Sequence, residues 1–99
     1  PFIPDFATNN GHMFYLVCSS LQQRTYLIDQ LKNMGIYAVF HYQSLHKSPF
    51  YSSRHDGREI PVSDMYSDCL VRLPLHYDLT EEDVNLIINS TKKIIQQYE

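Results

Sequence analysis

Residues 12–42 read HMFYLVCSSLQQRTYLIDQLKNMGIYAVFHY, and the change of period inside this stretch decides the fold. From His12 to Cys18 both alternating faces are apolar, and Phe14, Tyr15 and Val17 favour extended backbone, which predicts a strand covered on most of both sides. The period then changes. Ser20 followed by Gln23 is a capping-box signature, Leu27, Ile28, Leu31 and Met34 recur at helical spacing, and Gly35 supplies a left-handed stop, so a helix is predicted over 21–34. Ile36 to Tyr42 returns to alternation among β-branched and aromatic residues and predicts a second strand. Strand, helix and strand form a crossover unit, whose right-handedness makes the two strands parallel.

Downstream, the stretch QSLHKSPFYSSRHDGREI over 43–60 has no periodicity and is long for a connection in a small domain. Its part from Lys47 to Glu59 has little besides Pro49, Phe50 and Tyr51 to bury, and is expected to be mobile. A short helical turn is predicted within Pro61 to Asp68, then a third strand from Leu70 to Leu75, which Pro74 confines to an edge or brings to an end. Thr80 caps the last helix, with Leu79 and Val84 placed as a hydrophobic staple and Glu81, Glu82 and Asp83 at the positive end of the dipole. Its apolar stripe runs through Val84, Ile87, Ile88, Thr91, Ile94, Ile95 and Tyr98. The third strand fits between the first two, antiparallel to both. The expected fold is α+β: a small, open, three-stranded and mainly antiparallel sheet with the long helices on one face.

The chain has 99 residues, 43% of them hydrophobic, enough for one modest core and one domain over 1–99. Eight basic against eleven acidic residues leave a net charge of −3, the wrong sign for general nucleic-acid binding. Apolar runs are too short and too interrupted for a membrane span or a signal peptide. Cys18 and Cys69 lie far apart, without paired spacings, and read as reduced core thiols of a cytoplasmic protein, a disulfide between them being the lesser reading. The first residue is Pro1 and the sequence after it reads like mid-chain sequence, which suggests a processed product or a piece of something longer.

Chemistry concentrates in HYQSLH, where His41, Tyr42 and His46 stand at the end of the second strand. Strand ends are where ligands collect in α/β folds, and a phenol and imidazoles there suit an anionic or hydroxylated ligand; an ordinary strand terminus explains the same residues. Lys47, Arg54 and Arg58 place positive charge on the loop, fit either to meet a phosphate or simply to be solvated. A zinc site can be drawn from His41, His46, His55 and Cys69, but without the tight spacings of such sites. A Ser-His-Asp arrangement from Ser44 or Ser48, His46 or His55, and Asp56 has no nucleophile elbow to support it.

The ordered set Gly11-His12, the Arg24 helix ending in Gly35-Ile36, HYQSLH with Ser48-Pro49 after it, and Leu73-Pro74-Leu75 leading into Leu79-Thr80 resembles the C-terminal small domain of the DegT/DnrJ/StrS family of nucleotide-sugar aminotransferases. Within that family it is most similar to the dTDP-4-amino-4,6-dideoxygalactose transaminases. The resemblance implies a homodimeric, pyridoxal-phosphate-dependent enzyme that moves an amino group from glutamate to a dTDP-4-keto-6-deoxy sugar for a cell-surface polysaccharide. It also implies that the Schiff-base lysine and the cofactor's other holders belong to a large N-terminal domain outside this chain, so that the chain binds no cofactor and is inactive alone. Tyr42 and His46 match the family's Tyr and His on the sugar-nucleotide side, and His41 the position before that Tyr. The sequence has Ser44 where many members have Pro, and Ser63-Asp64 after Pro61 where Ala-Glu is common. The competing expectation is a free-standing ligand-binding or regulatory α+β module.

Overall fold

A computed structural model describes residues 2–98. Its elements in chain order are β1 (Phe14–Val17), α1 (Leu21–Asn33), β2 (Val39–Phe40), α2 (Pro61–Cys69), β3 (Leu70–Leu73) and α3 (Glu81–Tyr98), with short 3-10 turns at Leu45–Lys47 and Ser52–Arg54 between β2 and α2. The sheet order is β1-β3-β2, and β3 runs antiparallel to both neighbours. The central strand is therefore the last to be made, and Pro74 lies just past its end, where no ladder bond is lost.

Each helix is bounded as its sequence dictates. Ser20 accepts the Gln23 amide at 3.1 Å, while the Gln23 side chain reaches back to the Ser19 amide at 2.7 Å, one residue earlier than a standard box. At the other end Gly35, with φ of 77°, donates to the Lys32 carbonyl and Ile36 donates to the Leu31 carbonyl. That pair of bonds is a Schellman closure, and it brings Ile36 back onto Leu31. Thr80 and Asp83 cap α3 reciprocally: Asp83 Oδ2 accepts from the Thr80 amide and hydroxyl, and the Asp83 amide donates to Thr80 Oγ1 at 3.1 Å.

One expectation is corrected here. The second strand was expected over 36–42 and covers only Val39–Phe40. Ile36 is used to close α1, and Ala38 donates back to the Ile36 carbonyl, so the chain is not free to join the ladder before Val39. Ile36 and Ala38 are nonetheless buried, as core rather than as strand.

Leu27 and Leu31 from α1, Val71 and Leu73 from β3, and Ile87 and Ile94 from α3 join Ile36 and Ala38 in a single core. Facing positions across an antiparallel pair share a sheet face. Phe14 and Leu16 stand opposite Leu73 and Val71 and so look toward the helices, whereas Tyr15 and Val39 flank Arg72 on the other face. Val17 and Val39 are about half exposed, so this second face is open, not covered as the apolar pattern of His12 to Cys18 suggested. Among the described residues no helix is long and apolar enough to cross a membrane.

Candidate functional site

β2 ends at Phe40, and His41 and Tyr42 follow on the open face of the sheet. The two rings stack with centroids 3.7 Å apart across a cis peptide bond. Arg72, central on β3, reaches across with Nη1 2.9 Å from His41 Nδ1. A guanidinium only donates, so Nδ1 is the acceptor and the ring proton sits on Nε2. His41 thus serves as a platform beneath Tyr42, whose phenol is largely exposed and available to a ligand.

His46 takes a different course. It lies in the first 3-10 turn, largely shielded, with Nε2 3.0 Å from Asp64 Oδ1 on α2. Lys47 Nζ meets the same oxygen at 3.0 Å. The hydrogen bond from Lys47, with further help from Ser44 and the charges of Lys47 and His46, holds the Asp64 carboxyl below its ordinary range against a partial burial that acts the other way. Asp64 is the anchor of the segment.

The two departures from the family pattern lie side by side. Ser44 is buried, its amide donates to Ser67 Oγ at 3.2 Å, and its hydroxyl donates to the Ser63 carbonyl at 3.1 Å, with Ser63 Oγ 3.3 Å away. A proline at 44 has no amide to donate. Ser44, Ser63 and Asp64 are therefore linked parts of one latch between the loop and α2.

Behind the latch the 43–60 segment curls over a cavity of about 270 Å³ lined by Leu45, His46, Tyr51, Arg54, His55, Arg58, Ile60 and Ser63. Its turns are closed by local bonds, Ser52 to Ser48 at 2.9 Å and His55 to Tyr51 at 3.0 Å among them, and His55 Nε2 sits 2.9 Å from the Arg58 carbonyl. The structure brings His46 into this cavity and leaves Tyr42 outside it, on the sheet face.

Two alternatives lose their geometry. Among the described residues no three of His, Cys, Asp and Glu gather around a common point, so the zinc set of His41, His46, His55 and Cys69 is not assembled. His46 pairs with Asp64, and although His55 Nε2 lies 3.7 Å from Asp56, among the described residues no serine hydroxyl is hydrogen bonded to an imidazole: Ser44 donates to the Ser63 carbonyl and Ser48 Oγ accepts from the Tyr51 amide, which removes the Ser-His-Asp reading. Both thiols are free; Cys69 is buried, and burial first, then the neighbouring Cys69, pushes the Cys18 thiol up.

Sequence reading missed Arg72 as the holder of His41 and saw Asp64 only as a departure. The signal for Arg72 is a charged residue in the middle of LVRLPL, a strand too apolar to carry a cation without a partner.

An antiparallel three-stranded sheet with helices on one face is found as part of larger aminotransferases. The aminotransferase TlmJ of Streptoalloteichus hindustanus matches with a TM-score of 0.89 over the whole chain, at 21% identity and over 26% of its own length. Spr1654 of Streptococcus pneumoniae, an aminotransferase assigned to sugars and solved in its PLP form, matches with a TM-score of 0.78 at 26% identity, covering 87% of this chain and 23% of its own. The chain belongs to the DegT/DnrJ/EryC1/StrS aminotransferase family, whose model matches residues 3–92. The dTDP-4-dehydro-2,3,6-trideoxy-D-glucose 4-aminotransferase of Saccharopolyspora spinosa is 30% identical over 98 residues, which is 99% of this chain and 24% of that protein. The chain thus spans about a quarter of the relatives it matches.

The family implies pyridoxal phosphate, and the residues present do not fit its covalent attachment. Lys32, Lys92 and Lys93 are exposed, and the Lys47 amine is more than half exposed and committed to Asp64. A Schiff-base lysine needs a desolvated amine beside the cofactor.

Proposed function

We propose that the chain is the C-terminal small domain of a PLP-dependent sugar-nucleotide aminotransferase, in which Tyr42, His46 and His41 form part of the sugar-nucleotide wall. The observation that carries this is that 99% of this chain is similar, at 30% identity, to part of an aminotransferase named for a dTDP-linked 4-dehydro sugar. The site supports it in kind: an exposed phenol stacked on an imidazole on the sheet face, and a fixed imidazole in the cavity, are hydrogen-bonding groups for a polyhydroxylated anion. In this reading the substrates are glutamate and a dTDP-4-keto-6-deoxy sugar, the setting is cytoplasmic, and a large N-terminal domain and a second protomer complete the active site.

The cofactor, when bound by that large domain, supplies the amino-carrying chemistry. This chain's residues orient the sugar. His41, with its proton on Nε2, keeps Tyr42 at a fixed height above the sheet, and Asp64 keeps His46 turned toward the cavity wall.

The test has two arms. The whole polypeptide carrying this segment, given glutamate and a dTDP-4-keto-6-deoxyhexose, should yield the amino sugar nucleotide by mass spectrometry. The 99-residue chain alone should yield none, and borohydride in the presence of pyridoxal phosphate should fix no stoichiometric adduct on one of its lysines. No amino sugar from the whole polypeptide would overturn the substrate assignment, and a single-lysine adduct on the isolated chain would overturn the domain assignment.

A further inference from the structure

Two thiols face each other where β1 runs out and β3 begins. The β1–β3 register ends with Val17 opposite Leu70, and one step further Cys18 donates its amide to the Cys69 carbonyl at 2.8 Å. A facing pair joined in this way has its Cα atoms about 5.5 Å apart, inside the window of roughly 4.4–6.8 Å in which a disulfide closes without moving the backbone. Facing residues share a sheet face, and these two share the inner one: Cys18 packs against the core and Cys69 is buried. Cys18 is partly exposed, so one sulfur is open to a small reagent and the other stands behind it. Arg24 adds a cation beside the pair, its Nε donating at 3.0 Å to the carbonyl of Asp68, the residue before Cys69. Neither thiol lines the cavity under the 43–60 segment.

We propose that Cys18 and Cys69 are a reversible dithiol–disulfide pair, closed by a low-molecular-weight disulfide and reopened by its thiol, that fastens the end of β1 to α2. Cys18 reacts first, as the thiolate: its sulfur attacks one sulfur of the small disulfide, a mixed S–S bond forms, and the reagent's own S–S bond breaks to release a thiolate, which takes up a proton. The Cys69 thiolate then attacks the Cys18 sulfur and expels the second small thiol. Two protein S–H bonds are lost and one S–S bond is gained, so the pair gives up two electrons and the reagent leaves as two thiols. Burial and then Cys69 push the Cys18 thiol up while Arg24 acts the other way, so the pair is a slow nucleophile at neutral pH and closes faster as the pH rises. The consequence lies in α2. Cys69 is its last residue, and Ser63, Asp64 and Ser67, which hold the 43–60 segment, precede it within about two turns. None of this depends on which substrate the enzyme takes.

Oxidised glutathione tests the pair on the whole polypeptide, with the remaining free thiols capped by N-ethylmaleimide and the tryptic peptides read by mass spectrometry without reductant. The peptides ending at Arg24 and Arg72 should emerge as one linked species that dithiothreitol separates, from a protein that runs as a single chain on a denaturing gel. Closing should be about tenfold faster at pH 8 than at pH 7, the gain in thiolate for a thiol raised above 9.0. Cys69→Ala should leave glutathione standing on Cys18, and Cys18→Ser should leave Cys69 unmodified. Amide exchange over 62–69 should slow about threefold or more in the oxidised chain. Both thiols still free after oxidant, glutathione held stably on Cys18 of the unsubstituted protein, or linkage only between two chains would overturn the proposal, and unchanged exchange over 62–69 would overturn the fastening of α2.

Discussion

The core formed by α1, β3 and α3 and the segment from 43 to 60 are built by opposite means. The core is apolar and assembled from distant parts of the chain, with Leu27, Leu31 and Val71 almost wholly buried. The segment is polar, folded on itself by backbone bonds between residues three or four apart, and fastened to α2 through Ser44 and Asp64. One is held by the hydrophobic effect and tolerates no loss of volume; the other is held by a few charge-assisted contacts and keeps its donors facing outward. Two means of holding structure thus meet within 99 residues.

The comparison breaks first, and most heavily, at Leu31, which is fully buried. Leu31→Ala should cost about 2–5 kcal/mol in urea or thermal unfolding, and a loss below about 1 kcal/mol would mean that this core does not carry the fold. Proteolysis sharpens the same contrast. Trypsin should cut first after Arg54 or Arg58 and spare Arg24 and Lys32 in α1, because local turns open at little cost and a packed helix does not. Earlier cleavage in α1 would remove the distinction.

A smaller effect is expected at Asp64. Its carboxyl titrates below the ordinary value of 3.8, so the stabilisation it gives the latch is fully present above that pH and is lost as the pH falls through its lowered folded-state value. Amide exchange at residues 44–48 should accelerate in that acid window, and Asp64→Asn should make it fast already at neutral pH. No difference between the two pH ranges would detach the segment from α2. The smallest effect lies in the core: among the described residues the buried Thr91 hydroxyl has no hydrogen-bond partner, so Thr91→Val should raise stability by about 1 kcal/mol, and a loss would show that the hydroxyl is satisfied.

What the sequence disclosed follows the same division. α1 and α3 are bounded by local signals, Ser20, Gly35 and Thr80, and the central place of β3 follows from the handedness of the crossover. The length of β2 was not legible, because the Schellman bond from Ile36 takes residues whose alternation still reads as strand. At the site, the placement of Tyr42 and His46 near a strand end was legible from HYQSLH. Their partners were not: Arg72 lies 31 positions from His41, and Asp64 lies on α2, 18 residues beyond His46; pairings so distant leave no local pattern. The serine latch appeared in the sequence only as two separate departures, and only the fold joins them.

The central claim is that this segment handles the sugar nucleotide while the chemistry lies elsewhere, and the two half-reactions of the whole polypeptide test it most directly. His46→Ala and Tyr42→Phe each remove a hydrogen bond worth ~1.5–3 kcal/mol to a charged ligand, so kcat/KM for the ketosugar nucleotide should fall roughly ten- to hundredfold while the glutamate half-reaction stays nearly unchanged. Equal damage to both half-reactions would place these residues with the cofactor, and no damage to either would return them to an ordinary strand terminus; either result contradicts the account.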